Sequence, residues 1–459
     1  MSEWKPRHLA ERYDLDAFKA MTAGVPVFDD PALVKRKSRD FFWFSPILNE
    51  QLKHKTADLV AQPETEEQVI AVARACTKLR IPLTVRGAGS GTYGQGVPLY
   101  GGVVLDMTGL DRLVWIKPDG VRAQAGHRIL HLDQEARKLG VELRMHPSTK
   151  RTATIGGYFT GGSGGVGSVS YGGLREPGNL VAARVVTMEE EPRILELRGP
   201  DAALVNRTYG TTGIVTEVEL PLSPAPLWRD IALPFEDKMQ AVRFATALAG
   251  DNAIAKKLVS VAHHRIAESF ETLEAALAGQ NSVLSMVDPA HLEAVRALAQ
   301  SFGSDIAYER DSAEMEDDPE AVPIYEYSWG HATLHARKRD KSLTYLQTLF
   351  AGPDMNDKIA RMIDIFGDEV MLRLEYIRYD GNLAANGAQL IPFQSAERIR
   401  EIIDTHETHD IPVANPHVYT LEDGSRHKRV PGDQLSFKRV VDPHGLLNPG
   451  KMIGYQPVA

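Results

Sequence analysis

The residues most suited to chemistry in this chain are concentrated in a few places, the densest being Arg86-Gly-Ala-Gly-Ser-Gly-Thr-Tyr-Gly94. Residues 86–102 hold seven glycines in 17 positions and residues 153–173 hold nine in 21, out of 38 in the whole chain. Glycine at this density marks backbone that bends tightly or approaches a ligand closely. The first stretch contains Gly89-x-Gly91-x-x-Gly94, the spacing of a dinucleotide-binding turn, but such a turn must open a helix whose N-terminus faces a pyrophosphate. Here Gln95-Gly-Val-Pro-Leu-Tyr-Gly-Gly102 follows and then an apolar β run, so no helix starts there. The Gly-Lys-Ser/Thr ending of a P-loop is also missing. What remains is a nest of backbone N–H groups suited to an anion, with Arg86 beside it as a charge.

The second stretch, from Ala153 to Gly173, adds serine and threonine hydroxyls as further donors. A flexible linker would not need Ile155, Phe159, Val166 and Tyr171 at their positions. A segment lying along an extended, phosphate-containing cofactor accounts for both the glycines and the hydroxyls. Elsewhere, Trp329-Gly-His-Ala-Thr-Leu-His335 places His331 and His335 four residues apart on one helix face, as a structural pair or as two ligands of a site that lacks a third. We assign no metal. The run Val370 to Tyr379 alternates, putting Leu372, Leu374, Tyr376 and Arg378 on one strand face and Arg373 and Glu375 on the other. Tyr376 and Arg378 can then look into one pocket, with Arg378 either an anion anchor or half of a surface salt bridge, while Arg373 and Glu375 can pair.

Regular elements must position these groups. Thr65 with Gln68 forms a capping-box signature ahead of Val69, Val72, Ala73 and Cys76 at helical spacing. Ile81 to Val85 and Gly101 to Met107 read as strands on either side of the first glycine stretch, and Ile129, Leu132, Ala136 and Leu139 line a helix that stops at Gly140. Strands are expected around 180–188 and 213–220. Pro221, Pro224 and Pro226 mark a boundary, beyond which amphipathic helices (236–249, 289–302, 396–408) alternate with isolated strands (282–287, 370–378). That pattern is an α+β domain with helices on a mostly antiparallel sheet. The aromatic cluster Arg39-Asp-Phe-Phe-Trp-Phe-Ser-Pro46 reads as a buried anchor in preference to a lid, and the acidic run 311–320 as a solvated loop.

Composition narrows the function. Fifty-two basic against 61 acidic residues leave a net charge of −9, which argues against nucleic-acid binding through general phosphate attraction. The single cysteine, Cys76, excludes an internal disulfide and cysteine-ligated metal centres. No signal-peptide core and no membrane-spanning apolar run is present, so a cytoplasmic location is expected.

Several segments in order carry a resemblance: Pro63-x-Thr-x-Glu-Gln-Val69, Ile81-Pro-Leu-Thr-Val-Arg-Gly-Ala-Gly-Ser-Gly-Thr92, Gly102-Val-Val-Leu-Asp-Met107, Ala153-Thr-Ile-Gly-Gly157, Tyr209-Gly-Thr-Thr-Gly-Ile-Val-Thr-Glu217 and Asp442-Pro-x-Gly-Leu-Leu-Asn-Pro-Gly-Lys451. Together they resemble the FAD-linked oxidase family, the vanillyl-alcohol oxidase and p-cresol methylhydroxylase (PCMH) superfamily, on the branch of the glycolate oxidase flavin subunit and D-lactate dehydrogenases. The resemblance spans roughly 57–221 and the last 18 residues, and the middle third matches only loosely. It implies an α+β protein with a two-lobed, PCMH-type FAD-binding domain (56–223) after an N-terminal segment (1–55). An α+β cap or substrate domain (224–423) with a mainly antiparallel sheet follows, and a tail (424–459) returns to the FAD lobe.

By motif, Arg86, Gly87, Ala88, Gly89, Ser90, Gly91 and Thr92 would wrap the FAD pyrophosphate. Pro147, Ser148, Thr154, Gly156, Gly157 and Ser163 would follow the cofactor's middle and ring, and Gly213, Ile214 and Val215 would meet its adenosine end. Asn448 and Lys451 would contact it from the tail. Ser90 stands where relatives that attach the flavin covalently carry a histidine, and no cysteine lies near 150, so FAD is expected to be non-covalent. The family's histidine-rich metal signature is not intact at 329–335 or at 415–424. His417 and Tyr419 are the candidates for proton acceptor and substrate hydrogen bond, or else turn residues after Pro416; His331, Tyr376 and Arg378 complete the candidate catalytic set. The implied activity is oxidation of a CH–OH group of a small hydroxy acid or related alcohol by hydride transfer to flavin N5. Oxidation of a para-substituted phenol, with Tyr376, Arg378 and Tyr379 around a phenolate, and a non-catalytic electron-transfer subunit are the alternatives. Oxygen, a quinone, a cytochrome or an electron-transfer flavoprotein all stay open as electron acceptor, as do peripheral membrane association and a homodimer.

Overall fold

In a computed structural model, which describes residues 13–423 and 429–455, the chain builds two sheets before residue 225 and, after it, a large third sheet and a two-stranded ribbon of Leu343–Tyr345 and Leu390–Pro392. The first sheet runs Val27–Phe28, Leu59–Ala61, Val103–Asp106, Leu83–Arg86, with parallel pairing around Val103–Asp106. Helix Glu66–Leu79 provides its crossover, and Thr65 caps it as expected, its hydroxyl accepting from the Gln68 amide at 3.3 Å. The returning Gln68 side chain accepts instead from the Glu64 N–H, one residue earlier than a capping box requires. Val69, Val72, Ala73 and Cys76 all lie in the core beneath it. No helix occurs between Arg86 and Val103, in keeping with the exclusion of a dinucleotide turn.

The second sheet is antiparallel and six-stranded, built around the long strand Ile214–Pro224, which pairs with Gly120–Gln124, Val141–Leu143 and Ala182–Val186. Between the two sheets lies the second glycine stretch. It is more regular than an extended run: Thr154 caps a short helix Ile155–Gly161, and Ile155 and Phe159, four apart, both turn into the core. A second turn of helix spans Ser168–Tyr171.

The third sheet has seven antiparallel strands in the order Tyr308–Asp311, Arg229–Phe235, Asn281–Val287, Lys256–Ala262, Arg373–Tyr379, Asn382–Gly387, Thr348–Ala351. Helices Lys238–Gly250, Leu292–Ser301, Met355–Phe366 and Ala396–Thr408 cover one face with an apolar core. The opposite face meets the glycine-rich lobe and the aromatic segment: Ala232, Leu258 and Met286 cluster with Phe44, Val166 and Tyr327. The aromatic segment is an anchor. Arg337 stacks over Trp43 and Phe44 at 5.3 and 5.9 Å and donates to both of their carbonyls.

The acidic run is not simply solvated. Helix Ser312–Asp317 is tied to the other lobe by Arg151, whose guanidinium donates to the carbonyls of Ala321 (3.0 Å), Met315 (3.1 Å) and Asp318 (3.2 Å). The buried Lys150 bridges Asp133 (2.6 Å) and Glu316 (2.8 Å) beside it. Among the described residues no helix is long and apolar enough to cross a membrane.

Candidate functional site

A groove of about 250 Å³ opens between the first glycine stretch and helix Ile155–Gly161. Strand Leu83–Arg86 delivers Arg86 to its edge. The side chain turns back on its own loop, donating to the Ala88 carbonyl at 3.0 Å and to the Arg39 carbonyl of the aromatic segment. Gly89 sits at φ +74°, where the backbone favours glycine, and a Cβ there would fall 2.0 Å from the Arg86 guanidinium and push it off its two carbonyls. The aromatic segment also donates its Phe41 N–H to the Gly91 carbonyl at 2.8 Å. On the opposite wall, a Cβ on Gly156 would lie 2.8 Å from the backbone of Ala125, so this helix start approaches the second sheet as closely as atoms allow.

The residues Arg86, Gly87, Ala88, Gly89, Ser90 and Gly91 line the groove, together with Pro147, Thr154, Gly156, Gly157, Gly213 and Val215. The structure brings these sequence candidates together. The others lie behind them. Thr92 accepts from the Tyr345 hydroxyl at 2.7 Å, and Ser148 accepts from the His331 amide at 3.4 Å. The Ser163 carbonyl accepts from the Leu174 amide at 2.9 Å, and Ile214 is buried in the core opposite Val186. Asn448 donates to the carbonyls of Gln95 (2.7 Å) and Tyr209 (2.6 Å), and Lys451 donates to the Gly94 carbonyl at 2.7 Å. The two tail residues therefore brace the first glycine stretch from behind.

Groove residues that sequence reasoning missed include Asp40, Gln95, Tyr158, Thr160 and Tyr209. Tyr209 opens one of the motif segments and was within reach; Asp40 sits in an aromatic run with no signal of its own. Asp40 accepts from Phe42 N–H (2.9 Å) and Gly96 N–H (3.3 Å). Burial raises its carboxyl, with those amides and the charges of Lys451 and Arg86 working the other way. Burial lowers the Lys451 ammonium, which Asp40 partly restores.

The candidate catalytic residues disperse. The strand Arg373–Tyr379 alternates as expected, but the face carrying Leu372, Leu374 and Tyr376 is the one beneath the helices. The Tyr376 hydroxyl donates to the Val242 carbonyl at 3.0 Å and meets Thr246 Oγ1 at 2.9 Å, and the residue does not line the groove. Arg378 donates to Asn252 Oδ1 at 2.8 Å, and Tyr379 is exposed, so no phenolate site forms from Tyr376, Arg378 and Tyr379. Period-two alternation identified the two faces but could not say which faced the other lobe. It is Arg373 and Glu375, fully buried and paired at 2.9 Å, that do.

His417 is buried with Nδ1 2.8 Å from Ser45 Oγ; burial takes its imidazole down to about 4, unsuited to accepting a proton. Tyr419 lies under the Lys451 ammonium at 4.9 Å, behind Gly94. Neither lines the groove. His331 Nδ1 approaches Glu326 at 3.6 Å, while the His335 ring packs on Tyr327 at 4.8 Å, tilted by 58°. These two histidines gather no third ligand. Among the described residues one such group exists, His263, His264 and Asp368, where Lys238 already occupies the carboxylate.

Donor-rich glycine backbone, an arginine-clamped loop and a groove walled on both sides suit an extended, phosphate-bearing cofactor. Residues 57–195 match the family described as an FAD binding domain. The chain therefore carries an FAD-binding domain. Over 195 residues it is 32% identical to glycolate oxidase subunit GlcD of Escherichia coli K12, covering 41% of this chain and 39% of that protein. Over 181 residues it is 29% identical to D-lactate dehydrogenase of Anaerostipes hadrus, covering 37% of each. The chain thus aligns with about two-fifths of the length of these curated relatives. Over 95% of both chains it superposes on p-cresol methylhydroxylase with a TM-score of 0.67 at 13% identity. For alkyldihydroxyacetonephosphate synthase the TM-score is 0.70 (15% identity, 96% of this chain and 85% of that one).

Proposed function

We propose that the protein is an FAD-dependent oxidoreductase that oxidises the CH–OH group of a small hydroxy acid or related alcohol. The observation that carries the reading is the groove itself, two glycine-rich walls held by Arg86, Asn448 and Lys451. The named activities of the relatives that align over this lobe support the alcohol-oxidising class. Residues 56–223 with the tail 424–459 would form the cofactor domain, 224–423 the cap, and 1–55 the segment that ties them.

FAD, held without a covalent bond by the Arg86–Gly91 backbone, Thr154, Gly156 and Gly157, would supply a two-electron acceptor for the substrate's hydride. The protein's part is to hold the diphosphate against backbone N–H groups at one wall and to close the ring end with the cap. Anaerobic mixing of the FAD-loaded protein with D- and L-2-hydroxy acids and with 4-alkylphenols tests the proposal. Bleaching of the flavin by hydroxy acids is the expected result; bleaching by phenols alone, or by neither, overturns the substrate class. A protein that stays colourless after incubation with FAD overturns the cofactor assignment.

A further inference from the structure

Among the described residues the groove has one basic and one acidic side chain in its lining, Arg86 and Asp40. Glycine, apolar, hydroxyl and amide groups make up the rest. Arg86 suits a diphosphate ligand, although its guanidinium is turned onto the carbonyls of Ala88 and Arg39. Asp40 does not. A carboxylate in the wall of a groove assigned to a diphosphate carries the same sign of charge as the ligand.

The fold places that carboxylate beside the first glycine stretch. Asp40 is 5% exposed, and it stands between the Arg39 carbonyl that accepts from Arg86 and the Phe41 N–H that donates to the Gly91 carbonyl. One of its oxygens accepts from Phe42 N–H at 2.9 Å and the other from Gly96 N–H at 3.3 Å. A carboxylate offers about four acceptor sites, so two amides leave it half satisfied. The cations that act on it are engaged elsewhere: Lys451, fully buried, donates to the Gly94 carbonyl at 2.7 Å, and Arg86 is tied to its own loop. Among the described residues neither reaches ion-pair distance of Asp40.

The remaining groups around it supply no further countercharge. Tyr209 and Tyr345 feel the Asp40 charge, and burial, with that charge adding to it, raises both hydroxyls, so they stay neutral. Asp106 acts on Arg86 from the far side and is paired with Lys37, while Lys55 acts on Lys451 and lowers it. Burial raises the Asp40 carboxyl to about 6, against the Gly96 amide and the Lys451 charge. A diphosphate brought to the 86–91 backbone adds two negative charges on the same side, which raises the carboxyl again. The bound form therefore holds its proton more firmly than the free form. By reciprocity a protonated carboxyl favours binding by the same factor. The diester diphosphate itself stays ionised throughout this range, so the proton goes to the protein. Below about 6 both forms are protonated and affinity is flat. Above it the free form loses its proton first, and each pH unit weakens binding by up to about tenfold until the bound form loses its own.

We infer that Asp40 is the proton-coupled residue of the cofactor groove: the protein takes up a proton from solvent at this carboxylate as it takes in the diphosphate of FAD, and it releases FAD more readily as pH rises. The inference rests on the FAD reading of the groove and adds a regulation to that same site.

The full-length protein is titrated with FAD between about pH 5.5 and 8.5, with binding followed by flavin fluorescence. Proton uptake is read by calorimetry in two buffers of different ionisation enthalpy. The parent Kd should weaken by at least about fivefold across this range, with net proton uptake where it does. Asp40→Asn keeps an acceptor for a loop amide but cannot ionise. It should vary by less than about twofold over the same range, take up no proton, and bind FAD more tightly than the parent at the alkaline end. Lys451→Met removes a cation that holds the carboxyl down, so its profile should keep the slope and begin at higher pH. A flat profile in the parent would overturn the assignment, as would a slope kept in Asp40→Asn and lost in Lys451→Met. So would Asp40→Asn binding more weakly at every pH with the slope unchanged, the signature of a brace alone. No flavin response in the parent at any pH would instead sink the cofactor reading.

Discussion

Replacing Arg373 by methionine is the sharpest test of what fixes helix Trp329–Arg339 on the third sheet. Arg373 is completely buried and donates to Glu375 Oε1 (2.9 Å), Thr333 Oγ1 (3.2 Å) and the Trp329 carbonyl. Glu375 in turn accepts the Trp329 N–H at 2.6 Å, so the pair fixes the start of helix Trp329–Arg339, where Trp329 itself is at φ +48°. Methionine fills the volume but strands a buried carboxylate. Breaking one partner of a buried pair costs about 3–5 kcal/mol, which for a domain of roughly 200 residues lowers the melting temperature by about 6–20 °C at ~2–4 °C per kcal/mol.

The loss should depend on pH. Burial already raises Glu375, and Arg373 is the largest influence holding it down, so its carboxyl rises further in the variant. A carboxyl whose folded value lies above the unfolded one, about 4.3, binds more protons in the folded state, and stability falls as pH rises through that interval. The deficit should therefore be small near pH 4 and full at neutral pH. Arg373→Met with Glu375→Gln keeps an acceptor for Trp329 N–H without the charge, and should recover at least half of the neutral-pH loss and abolish its pH dependence. Thermal unfolding of the three proteins at pH 4.5 and 7.5 decides it. A single variant within about 1 kcal/mol of the parent, below the buried-pair range, would refute the reasoning, as would a double variant no better than the single.

Gly156→Ala drives a Cβ to 2.5 Å from that of Ala125 and 2.8 Å from its backbone, and should abolish FAD retention. Gly432→Ala, with nothing within 4 Å, should purify with a normal flavin content, measured by absorbance. His406 is buried, with Nδ1 2.8 Å from the Ile402 carbonyl, Nε2 accepting from Gln389, and its ring stacked on Phe366. Burial depresses it to about 4. Stability is thus lost as pH falls from the unfolded value of about 6.5 toward about 4. Urea unfolding should show His406→Asn losing on the order of 2 kcal/mol less than the parent between pH 7 and 4.5; equal losses would exclude His406 as a source of acid sensitivity.

What was legible in the sequence is what is local in the chain. The helix behind Thr65, the strand before Arg86 and the absence of a helix after Gly94 each depend on a few neighbouring residues, and each was readable from spacing. The same locality exposed the glycines that line the groove. The alternation of 370–379 was equally plain, yet its meaning depended on which strands and helices lay across it: Leu374 opposite Val261 and under the helices, Glu375 opposite Ser260 and toward the other lobe. Asp40 was illegible for a stronger reason: it reaches the groove through a fold-back of the N-terminal segment, which leaves no residue pattern. The acidic run was misjudged because the cations that hold it, Lys150 and Arg151, are more than 160 residues away.

The glycines pose a problem that the rest of the chain solves. A loop with glycine at 87, 89, 91, 94 and 96 gains close approach to a ligand but loses more conformational entropy on ordering than any other composition would. Unbraced, it would surrender part of its binding energy to becoming ordered. Each part of that loop is instead tied to a distant segment: Arg86 to the Arg39 carbonyl, Gly91 to the Phe41 amide, Gly94 to Lys451, Gln95 to Asn448 and Gly96 to Asp40. Three of these ties come from residues 39–41 and two from residues 448–451. Two segments far apart in the chain therefore converge on one glycine loop, so the Asn448-Pro-Gly-Lys451 motif braces a wall of the groove without lining it.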